Sequence, residues 1–171
     1  MTRRLANRLT AIAVPVIVAV SIAGCNTTGC TDNRSSLLLA GFYSSSDRRA
    51  ISIDSLELGG VGAPDDSLLV TVNERASQVY LPLRSRETET AFCLHYASKA
   101  LSDPRLNDTI SLTYTSEPYF ASEECGAMYR YSIKRLDYTR HLIDSVALPD
   151  SLINNVNVER MGIYFRTQTN D

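Results

Sequence analysis

The chain has 171 residues, with 19 acids against 17 lysines and arginines and no tryptophan. A formal net charge of −2, with lysine only at Lys99 and Lys134, argues against the basic patch that nucleic-acid binding needs. The length suits one domain with one core.

The first element is a leader. Arg3, Arg4 and Arg8 precede an apolar run from Leu9 to Ala23, and residues 1–24 hold no acid. A basic start before a short apolar core is the layout of a secretory signal peptide. The run carries Pro15 and falls short of the about 20 apolar residues that a membrane-spanning helix needs. It ends in Ile22-Ala23-Gly24-Cys25, which resembles the bacterial lipobox, an aliphatic and two small residues before a cysteine. That resemblance implies lipidation of Cys25 and cleavage before it. The acyl chains, at about 0.8 kcal/mol per buried methylene, would then hold the protein on a membrane. Cleavage would remove three arginines and no acid, moving the net charge from −2 to −5.

Residues 25–34, the lipidated cysteine with "NTTGCTDNR", read as a short polar tether, and residues 35–171 as the folded domain. From there the apolar pattern has period two, the mark of half-buried strands. Strand-like runs are expected at 36–44, 50–60, 67–73, 77–83, 88–98, 108–116, 127–138, 141–148 and 158–166. "GAPDDS" (62–67) and "SDPRLND" (102–108) are turn clusters, and Pro82 marks an edge strand or the end of one. No run shows helical spacing. About nine short strands predict an all-β fold, a single β-sandwich of immunoglobulin-like or transthyretin-like arrangement.

Three cysteines remain besides Cys25, in a compartment expected to be oxidising. Cys93 lies in the alternating "AFCLHY" and reads as a buried strand thiol. Cys30 and Cys125 lie in polar, turn-like surroundings, which favours a Cys30–Cys125 disulfide over a bridge to Cys93. No Cys-x-x-Cys pair occurs, so the cysteines do not suggest a metal site.

Candidate chemistry is sparse. His141 with Asp144-Ser145 lacks an orienting acid and any Gly-x-Ser-x-Gly elbow, and a solvated strand face explains the segment better. His95 and His141 have no spaced third ligand, and Asp65-Asp66 and Glu123-Glu124 lack calcium-loop spacing. No catalytic residue, cofactor or metal is therefore expected. Tyrosine is abundant, and Tyr114, Tyr119, Phe120 and Tyr129 lie close in sequence around Cys125. They are the candidate binding aromatics, for a glycan or an envelope protein, against the alternative of tyrosines serving as half-buried strand formers.

The segments "PYFASEECG" (118–126), "YTRHLIDSV" (138–146) and "VERMGIYFR" (158–166) carry a wider resemblance. Together with Cys30-Thr31, Gly41-Phe42-Tyr43, Asp66-Ser67-Leu68, Leu81-Pro82-Leu83 and Cys125-Gly126, they make the chain similar to uncharacterised small envelope lipoproteins of Bacteroidetes. The resemblance implies compartment and fold but no activity, and it supports pairing Cys30 with Cys125. Surface export in such proteins resembles a response to acids just after the lipidated cysteine; here none precedes Asp32. The expectation is an outer-membrane lipoprotein on the periplasmic face, a non-enzymatic structural or binding accessory. The alternative is a periplasmic or surface hydrolase acting on carbohydrate or peptide.

Overall fold

The computed structural model describes residue 30 and residues 33–71 and 75–167. The leader and Cys25 lie outside the described residues. Among the described residues ten strands appear in chain order: β1 (Leu38–Ser44), β2 (Leu56–Gly60), β3 (Leu68–Val70), β4 (Gln78–Leu81), β5 (Glu89–Tyr96), β6 (Asp108–Ser122), β7 (Gly126–Tyr138), β8 (Ile143–Ala147), β9 (Leu152–Ile153) and β10 (Glu159–Phe165). They form two sheets. The smaller has the order β4-β1-β10-β8 and the larger β3-β2-β5-β6-β7-β9. The domain is thus all-β and sandwich-like.

Alternation builds the core. Phe92, Leu94 and Tyr96 of β5 and Ile110, Leu112 and Tyr114 of β6 bury one face of the larger sheet. Leu38, Ala40 and Phe42 of β1 and Met161, Ile163 and Phe165 of β10 bury one face of the smaller sheet, and all join a single apolar cluster. Each fully buried Leu, Ile or Phe contributes roughly 1.5–3 kcal/mol. Phe165 lies edge-on to Phe42 at 5.5 Å and to Tyr96 at 6.5 Å, so its ring links the sheets.

β1 and β10 pair in parallel, with Phe42 opposite Ile163, at the centre of the smaller sheet. Gly41 leaves room there for the Glu159 side chain. A Cβ at that position would come within 2.2 Å of the Glu159 carboxylate, which accepts a hydrogen bond from the Tyr43 hydroxyl at 2.7 Å. β4 is an edge strand and ends just before Pro82, where a missing N–H costs no ladder bond.

Three features differ from the sequence expectation. Residues 116–127 continue β6 and β7 into one long hairpin, closed by a turn at residues 123–125 that Gly126, with a φ of +70°, leads into β7. A short edge strand outside the expected runs, β9, pairs Ile153 with Tyr131. Cys93 is exposed rather than buried, because the bulkier Phe92, Leu94 and Tyr96 take the inward face of β5.

Candidate functional site

Asp108, the first residue of β6, is fully buried. Its Oδ1 accepts from the Thr139 hydroxyl at 2.7 Å and the His141 N–H at 2.9 Å. Its Oδ2 accepts from the Leu142 and Ile143 N–H groups at 2.8 and 2.9 Å and the Tyr96 hydroxyl at 3.0 Å. A carboxylate on the larger sheet thereby fastens the bend that enters β8 of the smaller one. The His141 ring donates through Nδ1 to the Asn107 carbonyl at 2.7 Å, a shorter contact than its 3.6 Å approach to Asp108. Asp144 faces Arg166 at 3.7 Å and Arg140 at 4.0 Å. His141, Asp144 and Ser145 therefore form no nucleophilic relay: the acid beside the histidine is filled by backbone donors, and Ser145 pairs with Tyr164 in the ladder.

Burial, the Asp108 charge beside it and their hydrogen bond hold the Tyr96 phenol above its ordinary range. A raised folded value stabilises the fold fully below the unfolded value of about 10, and that contribution fades as pH climbs past it. Urea unfolding should lose stability from about pH 10 upward, and Tyr96→Phe should flatten part of that loss. Parallel pH profiles for the two proteins would remove Tyr96 from this account.

The long hairpin carries the sequence-named aromatics, and it separates them. Tyr114 is 1% exposed, so it is corrected from binding aromatic to core residue. Its hydroxyl contacts the Thr90 hydroxyl at 2.7 Å, accepts from the Arg84 N–H at 2.9 Å and donates to the Arg84 carbonyl at 3.1 Å. The inward position on β6 after Ile110 and Leu112 decides this placement. Tyr119 lies on the opposite face, its hydroxyl donating to Asn155 Oδ1 at 2.8 Å and its ring under the Arg130 guanidinium at 5.8 Å.

Phe120 and Tyr129 do share a surface. Pro118 pairs with Tyr129 and Phe120 with Ala127, so these pairs follow Tyr114–Ile133 and Ser116–Tyr131 along one hairpin face. That face is core at Tyr131 and solvent at the far end, where Tyr129 is 44% and Phe120 68% exposed. The hairpin outruns the sandwich and leaves its inner, apolar face open. Aromatic rings placed so can stack on a flat apolar or sugar surface while a tyrosine hydroxyl remains free for hydrogen bonding.

Sequence reasoning missed two other surfaces. Val61, Leu68 and Leu69 around the β2–β3 hairpin are exposed. They border grooves of about 800, 230 and 400 Å³, the largest running between Leu69 and Tyr80. The groove of about 400 Å³ is lined in part by Cys93, His95 and Glu57, and Glu57 Oε2 sits 2.7 Å from His95 Nδ1. Cys93 and His95 stand two residues apart on a strand, a visible pattern; Glu57 joins them only through the β2–β5 register. Cys30 and Cys125 are both disulfide-bonded, and Cys93 is free. Among the described residues no three His, Cys, Asp or Glu side chains gather as a metal-binding group, at Asp65 or Glu123-Glu124 or elsewhere. Nor is any described helix long and apolar enough to cross a membrane.

Fold and surfaces together define a two-sheet β domain with an overhanging aromatic hairpin. The chain belongs to DUF6452, a family of unknown function whose model matches residues 55–165, from the start of β2 to the end of β10. No curated protein and no solved structure matches it.

Proposed function

We propose that this protein is a lipid-tethered envelope lipoprotein, a non-enzymatic binding accessory that recognises an envelope protein or glycan through the open hairpin face of Pro118, Phe120 and Tyr129. The observation that carries the reading is the 68% exposure of Phe120 beside Tyr129, on a face that elsewhere in the same hairpin is core. An apolar surface held in water gains free energy when a partner covers it. The basic start, apolar run and Cys25 of the leader support a lipid tether, and the stretch without an acid between Cys25 and Asp32 favours the periplasmic face of the outer membrane.

Two experiments test the two halves. A photo-crosslinking residue placed at Phe120 or Tyr129 in cells should give a discrete adduct, absent when the same residue is placed at the exposed Lys99. Adding Phe120→Ala to the Tyr129 probe should weaken that adduct roughly tenfold while changing stability by less than about 0.5 kcal/mol. Indiscriminate adducts equal to those at Lys99 would remove the hairpin face as the recognition surface. Separately, Cys25→Ala should leave an unlipidated chain that no longer sediments with membranes. Unchanged sedimentation would overturn the tether.

A further inference from the structure

The outer face of the larger sheet holds a second constellation, independent of the hairpin. Glu57 of β2 is the register partner of His95 on β5, and Gly59 is the register partner of Cys93. His95 Nδ1 and Glu57 Oε2 are 2.7 Å apart, with side chains 41% and 28% exposed. A carboxylate can only accept, so Nδ1 carries the proton. In the neutral ring the lone pair is then on Nε2, the atom left for a ligand. Donation of one ring N–H to a carboxylate is the usual support of a metal-bound histidine: it fixes the tautomer and raises the basicity of the other nitrogen.

Cys93 supplies the second donor. It is an exposed cysteine outside any disulfide. It shares its strand face with His95, because residues two apart point the same way, with backbones about 7 Å apart. Two side chains that far apart can converge on one ion at roughly 2.3 Å from sulfur and 2.0–2.1 Å from nitrogen. Space for the ion is present. Gly59 and Gly60 set no side chain across the groove, which holds about 400 Å³, and Leu68 and Ser67 wall its far side.

We propose that Cys93 and His95 bind a thiophilic divalent cation of the zinc class, with Glu57 as the positioning residue for the imidazole. Two protein donors leave coordination places to water. That makes an open site, weaker than a closed four-ligand structural one. The chemistry selects zinc-like ions over calcium or magnesium, which favour oxygen donors.

The test is Co²⁺ titration of the full-length chain, with Zn²⁺ as competitor. The expected result is one ion per chain with thiolate-to-cobalt charge-transfer absorption, displaced by Zn²⁺. Cys93→Ser abolishes the band, His95→Gln weakens binding at least tenfold, and Glu57→Gln weakens it by roughly tenfold or more. Saturating Zn²⁺ should also slow alkylation of Cys93 in wild type but not in His95→Gln. All three positions are on the solvent side of the sheet, and urea unfolding checks that each variant is folded. Absence of the band, equal affinity in His95→Gln, or alkylation that ignores Zn²⁺ would each overturn the proposal. A lone surface thiol would then remain.

Discussion

Asp108→Ala should lower unfolding stability by at least about 3 kcal/mol, the largest loss expected from a single polar side chain in this domain. The carboxylate is fully buried and receives three backbone N–H groups, from His141, Leu142 and Ile143. Alanine would strand those donors together with the Tyr96 hydroxyl, and each buried unpaired donor costs about 1–3 kcal/mol. Part of that cost returns if water enters, which is why the lower bound is used. In a domain this size the shift corresponds to roughly 10 °C in Tm. Asp108→Asn keeps one accepting oxygen and should fall between alanine and wild type. Urea unfolding measures all three. A loss below about 1 kcal/mol for alanine would mean that the bend into β8 does not depend on this carboxylate.

Phe42→Ala should cost about 3–5 kcal/mol, the range for truncating a buried phenylalanine. Phe42 is completely buried and edge-on to Phe165, whose ring in turn meets Tyr96 of the opposite sheet. The cavity would open where the sheets are joined by rings rather than by a chain segment, so collapse around it is resisted from both sides. Phe42→Leu retains most of the volume and should cost less than about 1.5 kcal/mol. Near-equal losses for leucine and alanine would show that the ring contact, not volume, stabilises the junction.

Strand existence was legible because the inward residues repeat with period two, as Ile110, Leu112 and Tyr114 do. Which face turns inward was less so. In β5 the alternation set Phe92, Leu94 and Tyr96 against Ala91, Cys93 and His95, and total apolar bulk was the discriminating signal. The distal half of the long hairpin escaped because Pro118 and a polar run break the pattern there. Such a stretch needs no apolar alternation when no second sheet covers it. Tyr114 illustrates the limit for the candidate site. Nearness in sequence to Phe120 grouped the two, whereas strand parity and the end of the sandwich separate a core phenol from a solvent ring. The Glu57–His95 contact spans 38 residues and depends on register alone, which no local motif encodes.

The parallel pairing of β1 with β10 governs when this protein can become itself. The central ladder of the smaller sheet joins Leu39 to Glu159 and Ser44 to Phe165. A chain delivered from its N-terminus has to hold β1 unpaired on that side until more than a hundred further residues have arrived. Contacts of such long range slow folding, because loop closure precedes any gain from pairing. The smaller sheet therefore closes only once β10 is present beside β1. Without β10, β1 would keep its pairing with β4 but present its other edge unpaired, an open template for association with another chain.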